Sequence, residues 1–188
     1  MQNMIESELI EGVYILKPAV FGDDRGRFLE SFRKEWFPQR SWDIVQCNRS
    51  ESVRGVVRGL HYHYNQVDYW FVMSGMIRAC LADIRPNSPT FKATQTIDMG
   101  DENMVGLFIP TGIAHGFSTI SERVILTYVV DNYYDNSDEF GVAWNDPELA
   151  IDWGLSADEA VLSGRDAKNP MLKDIEPDTL LKFDSLKI

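Results

Sequence analysis

The stretch RGLHYHYNQVDYWFVMSG, residues 58–75, sets the reading of the whole chain. It holds two short runs rich in β-branched and aromatic residues, with turn residues at Tyr64-Asn65 between them and Gly75 at the end. Short runs of this kind bounded by turn signals predict β-strands. An extended strand points residues i and i+2 to one face, so His61 and His63 look the same way, and Asp68 follows after the turn. Similar runs lie on either side: GVYILKP (12–18), RFLESFR (27–33), DIVQCN (43–48), MIRACLADIR (76–85), ATQTIDM (93–99), MVGLFIP (104–110), AHGFSTI (114–120) and RVILTYVVDNYY (123–134). Gly75-Met76, Pro86-Asn87-Ser88-Pro89, Gly100-Asp101 and Pro110-Thr111-Gly112 punctuate them. Many evenly spaced strands argue for a sandwich or closed barrel. Helix is expected only around 34–40 and at Ser156-Ala157-Asp158-Glu159, which resembles a helix start. The expectation is one all-β domain of jelly-roll type over residues 1–188, with short peripheral helices and an irregular C-terminal tail.

Composition narrows the function classes. With 188 residues, 44% hydrophobic and 25% charged, the chain suits one globular domain with a real core. A net charge of −11 argues against a general affinity for nucleic acid, and an anionic ligand would need a local cluster of arginines. Cys47 and Cys80 give neither a disulfide framework nor a zinc spacing, which fits a reducing compartment. The N-terminal MQNMIESELIEG lacks the pattern of a signal peptide. The uncharged stretch 104–121 contains Pro110, three glycines and His115, so no membrane span is expected. A cytoplasmic protein is the default.

Two chemistries compete for the histidines. The pattern Gly55-x5-His61-x-His63-x4-Asp68-x6-Gly75, followed by Pro110-x-Gly112-x2-His115, offers a nitrogen and oxygen set that divalent transition metals accept. Its spacing resembles the two motifs of metal-binding cupins, with Asp68 where those proteins usually carry glutamate. The other chemistry is acid/base, since a histidine exchanges protons near neutrality and works best when a carboxylate fixes its tautomer. Asp166 in LSGRD (162–166) is one such carboxylate, and Tyr128, Tyr133 and Tyr134 are candidate acids. One imidazole nitrogen cannot serve as metal ligand and free base at once, so the two readings exclude one another at that atom of His61. A third reading makes these residues ordinary packed strand histidines. For anions, Arg25 in a DDRG turn and Arg58 offer planar forks, while Arg33, Arg40 and Arg123 read as partners of surface carboxylates.

The segments FGDDRGRFLESF (21–32), VQCNRS (45–50), GVVRGLHYH (55–63), ADIRPNSPTF (82–91), IPTGIAHGFSTIS (109–121), YVVDNYYDNSDEFGVAWNDPELAIDW (128–153) and LSGRDAKNP (162–170) follow one another in an order that resembles a known family. It is that of the deoxysugar-nucleotide epimerases typified by dTDP-4-dehydrorhamnose 3,5-epimerase. The resemblance implies a cupin jelly roll, a homodimer that exchanges N-terminal strands, a dTDP-4-keto-6-deoxysugar substrate and no cofactor. It implies that His61 is the general base, Asp166 its orienting partner and Tyr134 the acid on the opposite face of the sugar. Arg25 and Glu30 match residues that reach the nucleotide from the neighbouring subunit. Gln46, Asn48, Arg58, His115 and Glu139 match further ligand contacts, and Arg165 stands where the family commonly has lysine.

The chain departs from the family beside His61. Typical members follow a glutamine, two residues later, with a lysine that helps hold an enolate oxygen, whereas this chain reads Gln66-Val67-Asp68. His63 also stands where many members carry glutamine. Both changes move toward the metal-cupin pattern. The alternatives to the epimerase are therefore a metal-dependent cupin using His61, His63, Asp68 and His115, or a non-catalytic sugar-nucleotide-binding relative.

Overall fold

The computed structural model describes residues 3–184. In chain order the strands are β1 (Asn3–Glu6), β2 (Tyr14–Lys17), β3 (Phe21–Asp23), β4 (Gly26–Phe28), β5 (Gln46–Val53), β6 (Val57–Tyr62) and β7 (Asp68–Ser74). They continue with β8 (Met76–Asp83), β9 (Thr94–Gly100), β10 (Gly106–Ile109), β11 (Ile113–Thr119), β12 (Arg123–Val130) and β13 (Phe140–Gly141). One sheet has the order β1-β2-β10-β7-β12-β5 and the other β13-β6-β11-β8-β9, while β3 and β4 form a separate hairpin. Every pairing among these strands is antiparallel, and the two large sheets form a jelly roll.

The apolar runs at β7 and β8 follow from burial on both sheet faces. In β7, Trp70 and Val72 point between the sheets, where they meet Ile77, Ala79 and Leu81 of β8. Their neighbours Tyr69 and Phe71 face outward into an aromatic cluster with Trp36, Phe37 and Trp42. Cys80 and Ala82 of the second sheet, with Ile84 just beyond β8, pack beneath Leu149, Trp153, Leu172 and Leu180 of the C-terminal tail. The tail is thus the cover of a sheet face.

Three expectations from the sequence need correction. Only Lys34–Trp36 is helical in the 34–40 region, as a single 3-10 turn that delivers Trp36 and Phe37 to the aromatic cluster. No helix follows Ser156, although its backbone N–H and hydroxyl both donate to the Glu159 carboxylate at 2.8 Å as at a helix start. The chain is instead drawn into an extended bridge, where Val161 exchanges backbone hydrogen bonds with Gly55 and Val57. In RFLESFR only Phe28 and its predecessor stay in a strand, because Phe32 leaves to pack against Trp42 and Tyr69. Among the described residues no helix is long and apolar enough to cross a membrane.

Candidate active site

A cavity of about 280 Å³ opens between the two sheets. From the first sheet β5 contributes Gln46, Asn48 and Ser50, β7 contributes Asp68 and Trp70, and β12 contributes Leu126 and Tyr128. Each set is spaced by two, as one face of a strand requires. The opposite wall carries His115 and Phe117 of β11, also two apart, but Arg58 and His61 of β6 are three apart. The extra residue is a β-bulge: His115 pairs with His61 and Phe117 with Arg58, so Gly59 and Leu60 together face Gly116. Gly59 has φ of 117°, and a Cβ there would stand 2.7 Å from both the Gly116 Cα and the His115 carbonyl oxygen. Only glycine fits that turn of the backbone. Trp70, Phe117 and Leu126 belong both to the core and to the cavity, so the site is anchored to rigid packing.

His61 is bonded through Nε2 to Oδ1 of Asp166 at 2.6 Å. A carboxylate accepts, so Nε2 carries the hydrogen and the neutral ring keeps its lone pair on Nδ1. The Asp166 side chain is 5% exposed and the His61 side chain 26%, which places the carboxylate behind the imidazole. Burial by itself would raise the Asp166 carboxyl. The hydrogen bond and charge of His61, the Ser163 hydroxyl and the Gly59 N–H outweigh it and hold the group below the usual carboxylate range.

The other two histidines are held differently. His63 donates Nδ1–H to the Asp138 carbonyl at 2.8 Å, and His115 donates Nδ1–H to the Ile113 carbonyl at 2.9 Å. Burial, only partly offset by Asp68, depresses the His115 imidazole well below its ordinary range, so it is neutral at neutral pH. Asp68 accepts from Gln66 Nε2 at 3.1 Å and from Trp70 Nε1 at 3.2 Å. Its Oδ2 lies 3.9 Å from Nε2 of both His63 and His115. The ligand atoms of His63, Asp68 and His115 all lie within 4.8 Å of one another, and His61 is not part of this cluster. Of the four residues that the spacing offered for a metal, the structure brings three together and leaves out His61, whose Nε2 is turned to Asp166.

Tyr134 lines the same cavity and is 62% exposed. Its hydroxyl donates to Asn136 at 3.3 Å, and its backbone N–H donates to Gln46 at 3.3 Å. Glu139, also on the wall, accepts from Arg165 at 3.0 Å. Arg58 bonds the Ser52 hydroxyl at 3.0 Å and is the one arginine or lysine on the wall among the described residues. Arg25 and Glu30 are not on the wall: Arg25 is exposed and paired with Asp23, and Glu30 lies 3.6 Å from Arg33. Arg40 and Arg123 pair with Asp131 and Glu51.

Sequence reasoning passed over Ser50, Trp70 and Asp138, and named Gln66 only as part of the motif before Asp68. Ser50 continues the alternation of Gln46 and Asn48, and Trp70 that of Asp68, so period two was the usable signal. Asp138 gives no local signal. It orders the turn after β6 through its carboxylate, which accepts from the Tyr64 and Asn65 N–H groups at 2.8 and 3.0 Å.

The family model for dTDP-4-dehydrorhamnose 3,5-epimerase matches residues 7–174. A dTDP-4-dehydrorhamnose 3,5-epimerase from Shigella flexneri is 36% identical over 178 residues, covering 92% of this chain and 91% of the relative. A dTDP-4-dehydrorhamnose 3-epimerase from Streptomyces niveus is 35% identical over 178 residues, with 92% and 85% covered. The structure is similar to that of a dTDP-6-deoxy-D-glucose-3,5-epimerase from Legionella pneumophila in complex with dTDP-4-keto-L-rhamnose. The TM-score is 0.91 at 34% identity, covering 98% of this chain and 100% of the other.

Proposed function

The chain belongs to the dTDP-4-dehydrorhamnose 3,5-epimerase family, and we propose that it epimerises a dTDP-4-keto-6-deoxyhexose at C3, C5 or both, as in deoxysugar biosynthesis. The observation that carries this reading is the 2.6 Å pair of His61 Nε2 with buried Asp166, which leaves Nδ1 of a cavity-lining imidazole as the base. A C4 ketone acidifies the hydrogens on C3 and C5. His61 takes one of them as a proton, and the electron pair of the broken C–H bond moves into an enolate. Asp166 stabilises the imidazolium that forms, as a carboxylate behind a catalytic histidine does. Tyr134 returns a proton to the same carbon from the other face, and solvent resets both groups.

Gln46, Asn48, Arg58, His115 and Glu139 contact the nucleotide sugar from one chain, with Arg165 held at the rim by Glu139. Arg25 and Glu30 lie away from this chain's cavity and serve the cavity of a second copy, so the working unit is a homodimer of one-domain chains. A monomer in sedimentation at micromolar concentration would remove that part of the reading. The unpaired Cys47 and Cys80 fit a reducing, cytoplasmic location.

The deciding experiment is incubation with dTDP-4-keto-6-deoxyglucose in deuterated water. Deuterium at C3, C5 or both is expected, and the carbons labelled define the product. Nucleotide binding with no deuterium at either carbon would instead make the chain a non-catalytic sugar-nucleotide-binding protein.

A further inference from the structure

His63, Asp68 and His115 form a cluster that takes no direct part in proton transfer through His61, and His115, proposed as a substrate contact, would meet the substrate through whatever the cluster holds. The three residues are 5%, 3% and 5% exposed. The Asp138 and Ile113 carbonyls each take an Nδ1–H, and a carbonyl cannot donate, so Nε2 is the ring atom left to face the cavity in each case. Both Nε2 atoms stand 3.9 Å from Asp68 Oδ2, beyond hydrogen-bond reach, and the three ligand atoms lie within 4.8 Å of one another. Three potential ligand atoms thus converge on the cavity wall with no hydrogen bond joining any two of them. A cation placed between them would meet all three at once.

We propose that His63 Nε2, His115 Nε2 and Asp68 Oδ2 hold a divalent transition-metal ion whose remaining coordination positions face the cavity. Two imidazoles and one carboxylate are a donor set suited to zinc or ferrous iron. Metal–ligand bonds of about 2.0–2.2 Å need the three atoms somewhat closer than they stand, a contraction of under about 1 Å per side chain. The surroundings already resemble an outer coordination shell: backbone carbonyls fix both tautomers, and Gln66 and Trp70 orient the carboxylate. His61 stays outside, so a free base and a metal ion can share one cavity.

The role of the ion rests on the epimerase reading. An enolate oxygen needs a preorganised positive or hydrogen-bonding partner. Among the described residues the wall offers one arginine, Arg58, and no lysine. An ion beside Asp68 supplies that charge as a Lewis acid toward the keto oxygen.

The test uses full-length protein purified without an affinity tag. Titration with Co²⁺ is expected to give the visible d–d absorption of a ligated ion at about one equivalent per chain, together with a higher melting temperature. Asp68→Asn should weaken Co²⁺ binding by more than about 100-fold, beyond the effect of an outer-shell change. Should that variant fail to fold, the wild-type titration and melt still decide. A wild-type protein with no d–d band and no thermal shift at millimolar Co²⁺, or an Asp68→Asn protein that binds as tightly, overturns the site. Addition of dTDP-4-keto-6-deoxyglucose should shift the band in wild type and in His61→Ala alike. Full deuterium exchange by metal-stripped protein overturns the role of the ion, whereas a band that shifts without any exchange in wild type overturns the acid/base reading instead.

Discussion

Replacing Asp166 with asparagine isolates the contribution of the carboxylate behind His61, because the side chain keeps its size and loses its charge. The bond is 2.6 Å long and its acceptor is 5% exposed, so water cannot take its place. A hydrogen bond to a charged group contributes about 1.5–3 kcal/mol. That contribution matters most when His61 holds the abstracted proton, which makes the loss a loss of transition-state stabilisation. At about 1.4 kcal/mol per tenfold, the rate of proton exchange should fall by about 10- to 150-fold. A second effect acts in the same direction. The Ser163 hydroxyl and the Gly59 N–H also favour the charged form of this carboxylate, and a neutral amide loses that effect. If the amide turns its NH2 toward Nε2, the ring proton moves to Nδ1 and the base is blocked. The assay is the initial rate of deuterium entry at each carbon of dTDP-4-keto-6-deoxyglucose under saturating and limiting substrate. The drop should appear in kcat, with KM little changed, since Asp166 acts through His61. An Asp166→Asn protein within about twofold of wild type, or one whose loss lies wholly in KM, would refute the assignment.

His61→Ala should abolish deuterium exchange at both carbons, and by more than Tyr134→Phe, because water can reprotonate an enolate but cannot replace the base; equal losses would count against the roles given to the two residues. Gly59→Ala should destabilise the fold by at least about 1–3 kcal/mol in urea titration, since φ of 117° and the 2.7 Å contacts leave no room for a methyl group; an unchanged midpoint would mean that the bulge tolerates a side chain. Asp83→Ala should cost about 3–5 kcal/mol, because it strands the buried Arg85 that Asp83 holds at 2.8 and 2.9 Å and frees Ser88 and Thr90. The same chain should then melt about 6–20 °C below wild type. The depressed carboxyl of Asp166 stabilises the fold fully above the ordinary aspartate value of about 3.9 and loses that effect as pH falls through its lower folded value. The stability gap between wild type and Asp166→Asn should therefore close as pH falls below about 4; a gap that widens there would reverse the sign of the coupling.

The sequence by itself determined the strand run, the jelly-roll class and the family. Dense β-branched and aromatic runs with glycine and proline between them have few other solutions, and the motif order spans nearly the whole chain. It was weakest where a strand has no apolar face. QCNRSESV forms the eight-residue β5, yet only its start was legible, because this edge strand turns Gln46, Asn48 and Ser50 to the cavity and Cys47, Arg49 and Glu51 outward. Helix signals at 34–40 and 156–159 were local preferences that packing overruled, in one case for Trp36 and Phe37 and in the other for the Val161 bridge. Only tertiary structure decided which histidine does what. HxHx4D spacing treats His61 and His63 as equals, but Asp166, 105 residues from His61, claims Nε2 of one of them. The carbonyl of Asp138, 75 residues from His63, fixes the tautomer of the other. The bulge at Gly59-Leu60 then sets His61 opposite His115 while keeping Arg58 on the same wall. These are long-range contacts, made when distant strands and a tail turn close on one another, so no local pattern of residues carries them.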